Sequence, residues 1–266
     1  MSYIHQIWFE LKPGGKPPAD QQALSEEITH LSGETHTHII WTLPMAEELV
    51  DSHYPQFRSL WNQLIPIQKI DFLRFLFLHR YGGWYLDYDV RLTKPMDEVE
   101  RWVESSLRTA EAYIVQTPNC VNIPFLKKSH LSNCIMYSPR PGSPVWMELA
   151  KEVAIQKHKH WWEPRHYYIM RSTGPRMVSI TIPRLQKMGY HISELPKRWF
   201  NPIGLCSKQG AGRGAFTIHT NAGGWEKGDS TLIKSLWCNM YTILAILIIV
   251  FIIWFYFIKS KRSQIP

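Results

Sequence analysis

Cysteine is scarce in this chain, and glycosylation sequons, internal repeats and low-complexity linkers are missing altogether. Four Cys in 266 residues exclude a scaffold built on disulfides. Cys120, Cys134, Cys206 and Cys238 make no CxxC pair, which argues against a structural zinc site. They leave the redox compartment undecided. A hydrophobic content of 45% with 20% charge excludes a disordered chain. The net charge is +8, and three of the cations, Lys259, Lys261 and Arg262, lie near the C-terminus. The remainder is ordinarily basic, and no motif that reads RNA or DNA accompanies it, so no nucleic-acid partner is expected. The length suits one catalytic domain with its own core. The first sixteen residues hold no apolar stretch long enough for a secretory leader.

Only one long hydrophobic run occurs. Met240–Ile258 reads MYTILAILIIVFIIWFYFI and carries no charge. As a helix it would span roughly 28 Å, close to the hydrocarbon core of a bilayer. Trp237 and Tyr241 stand at one edge and Trp254 and Tyr256 near the other, as interfacial aromatics do. The expected organisation is a catalytic domain over 1–235, a single-pass transmembrane helix over 236–258 and a basic tail over 259–266. The basic tail argues for a cytosolic C-terminus and a luminal catalytic domain. The lack of a leader argues for a tail-anchored enzyme facing the cytosol. The first is preferred, in an endomembrane such as the Golgi.

Ahead of that run, short strands alternate with helices. Strands are expected over 3–9, 36–42, 84–90, 112–116, 133–138, 190–195 and 216–220. Helices are expected over 20–31, 45–52, 67–81, 143–157 and 175–188. Such alternation argues for an α/β sheet covered on both faces. Ser207–Gly214 (SKQGAGRG) is the most loop-like internal stretch.

The chemistry concentrates in IQKIDFLRFLFLHRYGGWYLDYDV, residues 67–90. Asp87 and Asp89 are two apart, so on an extended segment their carboxylates face one place. Paired hard oxygens suit Mg²⁺ or Mn²⁺. Trp84, Leu86, Tyr88 and Val90 fall on the other side as core. Upstream, Asp71 and Arg74 share one face of an apolar helix. They read equally well as a buried structural ion pair or as a ligand-holding pair. Gly82-Gly83 stops the helix or lets a ligand approach closely. The cluster HKHWWEPRHYY (His158–Tyr168) reads as a surface or acceptor-side loop, since His158 and His160 lack helical ligand spacing. Its aromatics would stack on sugar or sit at a bilayer surface.

The pattern D-x-x-R followed by G-G-x-Y-x-D-x-D, here Asp71, Arg74, Gly82, Gly83, Tyr85, Asp87 and Asp89, resembles glycosyltransferase family 32. IHQIWF (Ile4–Phe9), NCIMYSPRPGSPVWMEL (Asn133–Leu149), STGP (Ser172–Pro175) and IHTNAGGW (Ile218–Trp225) are similar to further segments of that family. The resemblance implies a GT-A type nucleotide-sugar-binding domain and a metal-dependent sugar transfer with retention at the anomeric carbon. It implies that Asp87, Asp89 and His219 hold Mn²⁺ or Mg²⁺, with Asn221 competing with His219. Asp71 and Arg74 would contact the donor sugar, Trp8 the nucleotide base, Tyr85 the metal site, and Trp225 would close over the phosphates. Asp71, Arg74 and Asp89 are the catalytic candidates. The chain looks most like the fungal-type inositol-phosphoceramide mannosyltransferases. That makes GDP-mannose the first expected donor, a UDP-sugar the second, and a membrane lipid or glycan the acceptor. An inverting enzyme would need a carboxylate base, for which Glu163 and Glu148 are the available residues. The rival reading is a non-catalytic sugar- or nucleotide-binding membrane protein on the same fold.

Overall fold

The computed structural model describes residues 2–10, 14–118, 130–204, 206, 212–222 and 228–262, with side chains up to Tyr256. The chain begins β1 (Ser2–Ile7), α1 (Ala19–Ser32), β2 (His36–Trp41), α2 (Leu43–His53) and α3 (Arg58–Gln63). It continues with α4 (Pro66–Tyr81), β3 (Gly83–Leu86), β4 (Val90–Leu92), α5 (Met96–Ser106), β5 (Ala112–Thr117) and β6 (His130–Ser138). Then come α6 (Pro144–Gln156), α7 (Arg165–Ser172), α8 (Pro175–Lys187), β7 (Ile192–Leu195), α9 (Lys197–Phe200), β8 (Thr217–His219), α10 (Gly228–Cys238) and α11 (Met240–Arg262).

The described strands form a mixed six-stranded sheet in the order β2-β1-β3-β6-β5-β7 and a separate β4-β8 pair. The α/β expectation therefore holds. β1 runs parallel to β2 and β3, whereas β6 is antiparallel to both β3 and β5. Alternation along β1 sends Ile7 to one side of the sheet and Ile4 to the other. Ile7 joins a core with Leu73, Phe77, Trp146 and Val178 from α4, α6 and α8. Ile4 joins a core with Ile28, Val99 and Phe200 from α1, α5 and α9.

The expected strand over 84–90 is cut short. β3 ends at Leu86, and the Val90 N–H donates to the Asp87 carbonyl (2.9 Å), closing a turn before β4 starts. Asp87 and Asp89 thus stand on a turn, and Tyr88 is half-buried rather than core. The glycine pair has a packing reason. Gly82 ends α4 at φ 67°, and a Cβ on Gly83 would collide with the Tyr3 carbonyl oxygen of β1. Only glycine lets β1 and β3 approach so closely.

One disulfide, Cys206–Cys238, closes a loop around β8. The sequence excluded a disulfide scaffold but carried no sign of this bridge. Among the described residues no single helix is long and apolar enough to cross a membrane. Two bent segments, Gly228–Cys238 and Met240–Tyr256, pass that test together across a 65° break. The backbone of α11 runs on to Arg262. Residues 207–211 of the loop-like stretch lie outside the described residues.

Candidate active site

α1, which joins β1 to β2, packs on one face of the sheet, and α4, which leads into β3, packs on the other. β1 is therefore the point where chain winding reverses, and the crevice beyond its carboxyl end is where open α/β sheets bind ligands. Trp8 follows β1 and Asp87 follows β3, so both stand at that crevice. The Trp8 ring lies 5.3 Å from that of Tyr88, and its indole N–H donates to the Gly15 carbonyl (3.1 Å). The Gln6 side chain donates to the Asp87 carbonyl (3.3 Å), tying the two strand ends together.

β8 completes the site from far along the chain. Its antiparallel pairing puts His219 opposite Val90, directly after the turn that carries the carboxylates. His219 Nε2 lies 3.0 Å from Asp89 Oδ1 and 3.9 Å from Asp87 Oδ2. One ligand atom from each of Asp87, Asp89 and His219 falls within 4.8 Å of the other two. The backbone after β8 also serves Asp89. The Ala222 N–H donates to its Oδ2 (2.8 Å), while the Thr220 N–H (3.0 Å) and hydroxyl (2.9 Å) donate to its carbonyl. Asn221, the rival to His219, turns at φ 55° and donates its side-chain amide to the His219 carbonyl. It shapes this turn, and its amide is engaged there.

Arg74 lies beneath the turn. One of its nitrogens donates to the Asn133 carbonyl (2.9 Å) and lies 3.2 Å from Asp71 Oδ1. The other lies 3.0 Å from Asp87 Oδ1. Its guanidinium sits 4.7 Å from the centre of the Tyr85 ring, and the Tyr85 hydroxyl donates to Asp87 Oδ1. Asp71 is fully engaged: the Asn133 amide donates to Oδ1 (2.9 Å) and the Thr173 hydroxyl to Oδ2 (2.8 Å). Asp71, Arg74 and Tyr85 are all buried, whereas Asp87, Asp89 and His219 are partly open. The structure thus brings together every sequence-derived site residue it describes except Trp8, which stands across the crevice beside Tyr88. Trp225 lies outside the described residues.

The two carboxylates of the turn titrate in opposite directions. Burial raises Asp87, aided by the charge of Asp89 and opposed by Arg74 and His219. Burial also pushes Asp89 upward, but His219 and the Ala222 N–H outweigh it and hold Asp89 below the usual carboxylate range. Burial opposes charge on His219, and Cys134 and Asp89 together overcome it and raise the imidazole well above its ordinary value. Desolvation thus works against charge on Asp87, while His219 favours charge on Asp89. Two carboxylates and an imidazole are a donor set that fits a hard divalent ion.

Residues 18–107 match the family described as the glycosyltransferase sugar-binding region containing a DXD motif. Over 216 residues it is 27% identical to mannosyl phosphorylinositol ceramide synthase CSH1 of Saccharomyces cerevisiae, covering 76% of this chain and 47% of the relative. It is 28% identical over 207 residues to mannosyl phosphorylinositol ceramide synthase SUR1 of the same yeast, covering 76% and 46%. Inositol phosphoceramide mannosyltransferase 2 of Schizosaccharomyces pombe is 24% identical over 282 residues, covering 98% of this chain and 72% of the relative. The chain spans about half the length of the two budding-yeast relatives. Among solved structures, mouse xyloside xylosyltransferase 1 aligns with a TM-score of 0.49 at 12% identity, covering 83% of this chain and 98% of that one.

Sequence reasoning placed Asn133, Thr173, Thr220 and Ala222 inside similar segments but assigned them no contact. Two of the four act through backbone N–H groups, which side-chain chemistry does not advertise. The two glutamates weighed as bases are both engaged. Glu163 is buried and clamped by Arg171 (2.7 Å), whose hydrogen bond holds its carboxyl down to about 2. Glu148 pairs with Lys151 at 2.7 Å.

Proposed function

We propose that the chain is a metal-dependent, retaining glycosyltransferase with a GT-A type domain over 1–235. It moves a sugar from a nucleotide-sugar, GDP-mannose first and a UDP-sugar second, to a membrane-associated acceptor such as inositol phosphoceramide or a glycan. The observation that carries this is the convergence of Asp87, Asp89 and His219 beside Arg74, at the carboxyl ends of the strands. The yeast relatives, by their names, make mannosylated inositol phosphoceramide, which favours mannose and a sphingolipid acceptor here.

Asp87, Asp89 and His219 would hold Mn²⁺ or Mg²⁺, which supplies Lewis-acid neutralisation of a departing diphosphate. The chain's own residues do the rest. Arg74 and the Tyr85 hydroxyl fix Asp87 from below, so its second oxygen points outward in one orientation. Ala222 and Thr220 fix Asp89 from the side. Such preorganised groups face developing charge without reorganising during reaction. Trp8 and Tyr88 offer an aromatic edge for a nucleobase.

The full chain, in mixed micelles with inositol phosphoceramide, should turn over GDP-mannose at least about tenfold faster than UDP-sugars, with the anomeric configuration kept. Nucleotide-sugar binding without turnover of any donor would instead establish the non-catalytic reading.

Met240–Ile258 is read as a membrane-spanning helix with the catalytic domain on the luminal side of an endomembrane such as the Golgi. Lys259, Lys261 and Arg262 favour a cytosolic C-terminal side. The Cys206–Cys238 disulfide lies on the other side of the span, and disulfides persist in oxidising compartments. In sealed vesicles the domain should resist protease until detergent is added, and both thiols should react with maleimide only after reduction. Digestion without detergent, or a free thiol at Cys206 or Cys238 in the native protein, would refute the luminal assignment.

A further inference from the structure

α10 is an apolar-faced helix that the domain holds at both ends. At its start the His166 backbone N–H donates to Asp229 Oδ2 (2.8 Å), and the His166 ring bonds Ser230 Oγ (2.9 Å). At its end the disulfide ties Cys238 back to Cys206. Between these ties Ser230 is buried and Ile233 half-buried, while Leu232 and Leu236, one turn apart, are 61% and 52% exposed. Trp237 beside them is 47% exposed. Large apolar side chains left open on a helix that is fixed in place mark a surface meant for contact.

The neighbouring loop repeats the pattern. Trp161 and Trp162 are 94% and 59% exposed. Arg171 straps their loop to α7 through Glu163 and the His158 carbonyl. Three residues lie between Trp162 and His166, so Trp162 lies within about 14 Å of chain from the residue that ties down the start of α10. Lys159 and His158 beside them are exposed and basic in character.

The bend after α10 identifies the occupant. From Leu244 to Tyr256 α11 is exposed and apolar on every side, as a lipid-facing helix is, and it meets α10 at 65°. With α11 along the bilayer normal, α10 lies within about 25° of the membrane plane, the posture of an interfacial helix. Asp229 and Lys234 within α10 suit a headgroup boundary and oppose burial in hydrocarbon. Resting on the membrane-spanning reading of α11, we infer that α10 and the Trp161–Trp162 loop dock the catalytic domain flat on the bilayer that α11 enters. Ala222, which fixes Asp89, precedes α10 by six residues, so docking holds the carboxylate turn within about 20 Å of chain from the headgroups.

The test is photolabelling of the full-length protein in vesicles of phosphatidylcholine and phosphatidylinositol, doped with a phosphatidylcholine carrying a diazirine near its headgroup. Lipid adducts are mapped by mass spectrometry. Adducts are expected on peptides containing 161–162 and 232–237 as well as on the Met240–Tyr256 segment. Adducts confined to 240–256 would overturn the docking surface and leave the span intact, whatever covers the patch instead. Adducts on the patch with none on 240–256 would sink the span and sustain the surface. The substitution pair Leu232→Ser and Leu236→Ser changes only exposed side chains. It should cut labelling of the patch about tenfold, leave labelling of 240–256 within about twofold, and keep the thermal unfolding midpoint of the wild type.

Discussion

Replacing Asp89 with Asn is expected to abolish divalent-ion binding and lower turnover by about a thousandfold or more, while the domain stays folded. Asn keeps the shape of Asp, so the turn between β3 and β4 survives. The cost is local. Asp89 accepts from His219 on one oxygen and from the Ala222 N–H on the other. An amide can satisfy only one of these donors and must turn its own NH₂ toward the second. With the carboxylate still partly open to water, that conflict should cost about 1 kcal/mol. The catalytic loss should far exceed it, because the formal charge is what a divalent ion requires. Mn²⁺ titration followed by electron paramagnetic resonance reads the binding step without reference to activity. In the wild type, chelator should remove turnover and Mn²⁺ or Mg²⁺ should restore it. Full turnover in excess chelator, or an Asp89→Asn protein that still binds Mn²⁺ normally, would sink the metal assignment.

Much of the frame behind that prediction was legible in the sequence, since it depends on local pattern. The apolar periodicity of 67–81, the following glycines and the β-branched run at 36–42 give α4, the Gly82 stop and β2 to within a residue or two. Where a tertiary bond competes with local pattern, the reading fails. WYLDYDV reads as one strand, but the Asp87 N–H is taken by the Cys134 carbonyl and the Val90 N–H by Asp87, so the chain turns. The two carboxylates still converge, through turn geometry rather than strand alternation. α3, α5, α7, α9 and α10 were not anticipated. Each is short, and α10 is positioned by His166 and by a disulfide, neither of which leaves a local trace. The same holds for the site. Asp71, Arg74, Asp87 and Asp89 lie within one legible segment. Asn133 and Thr173 reach Asp71 across 62 and 102 residues, and such contacts become visible only once the sheet is assembled.

Arg74→Ala is expected to lower the unfolding midpoint of the domain by roughly 10 °C. The sequence left Asp71 and Arg74 balanced between a donor-binding pair and a structural one, and their surroundings now favour a large structural share. Arg74 is the nearest cation to two carboxylates at once, Asp71 at 3.2 Å and Asp87 at 3.0 Å, and it is buried with Asp71. Removing one partner of a buried ion pair costs about 3–5 kcal/mol, which here is a fall in unfolding midpoint of roughly 10 °C. The sign of the pH dependence is specific. Burial already raises Asp71, against the pull of Arg74, Thr173 and Asn133. Without Arg74 it rises further, so the folded variant takes up a proton that the unfolded chain gives up. A raised carboxyl contributes stability below its unfolded value and loses it as pH climbs through the folded one. The damage should therefore be smaller at pH 5 than at pH 8. Arg74→Lys keeps the charge but not the fork that spans Asp71 and Asp87, and should recover part of the stability with little of the activity. Combining Arg74→Met with Asp71→Asn removes the buried charge from both sides. It should restore more of the unfolding midpoint than Arg74→Lys and still leave turnover down at least about a hundredfold, because Asp87 would then lack the cation that orients it. Thermal melts at the two pH values, read beside turnover, separate the roles. Near-wild-type melting of Arg74→Ala at pH 8 would overturn the structural share and return the pair to the donor sugar alone.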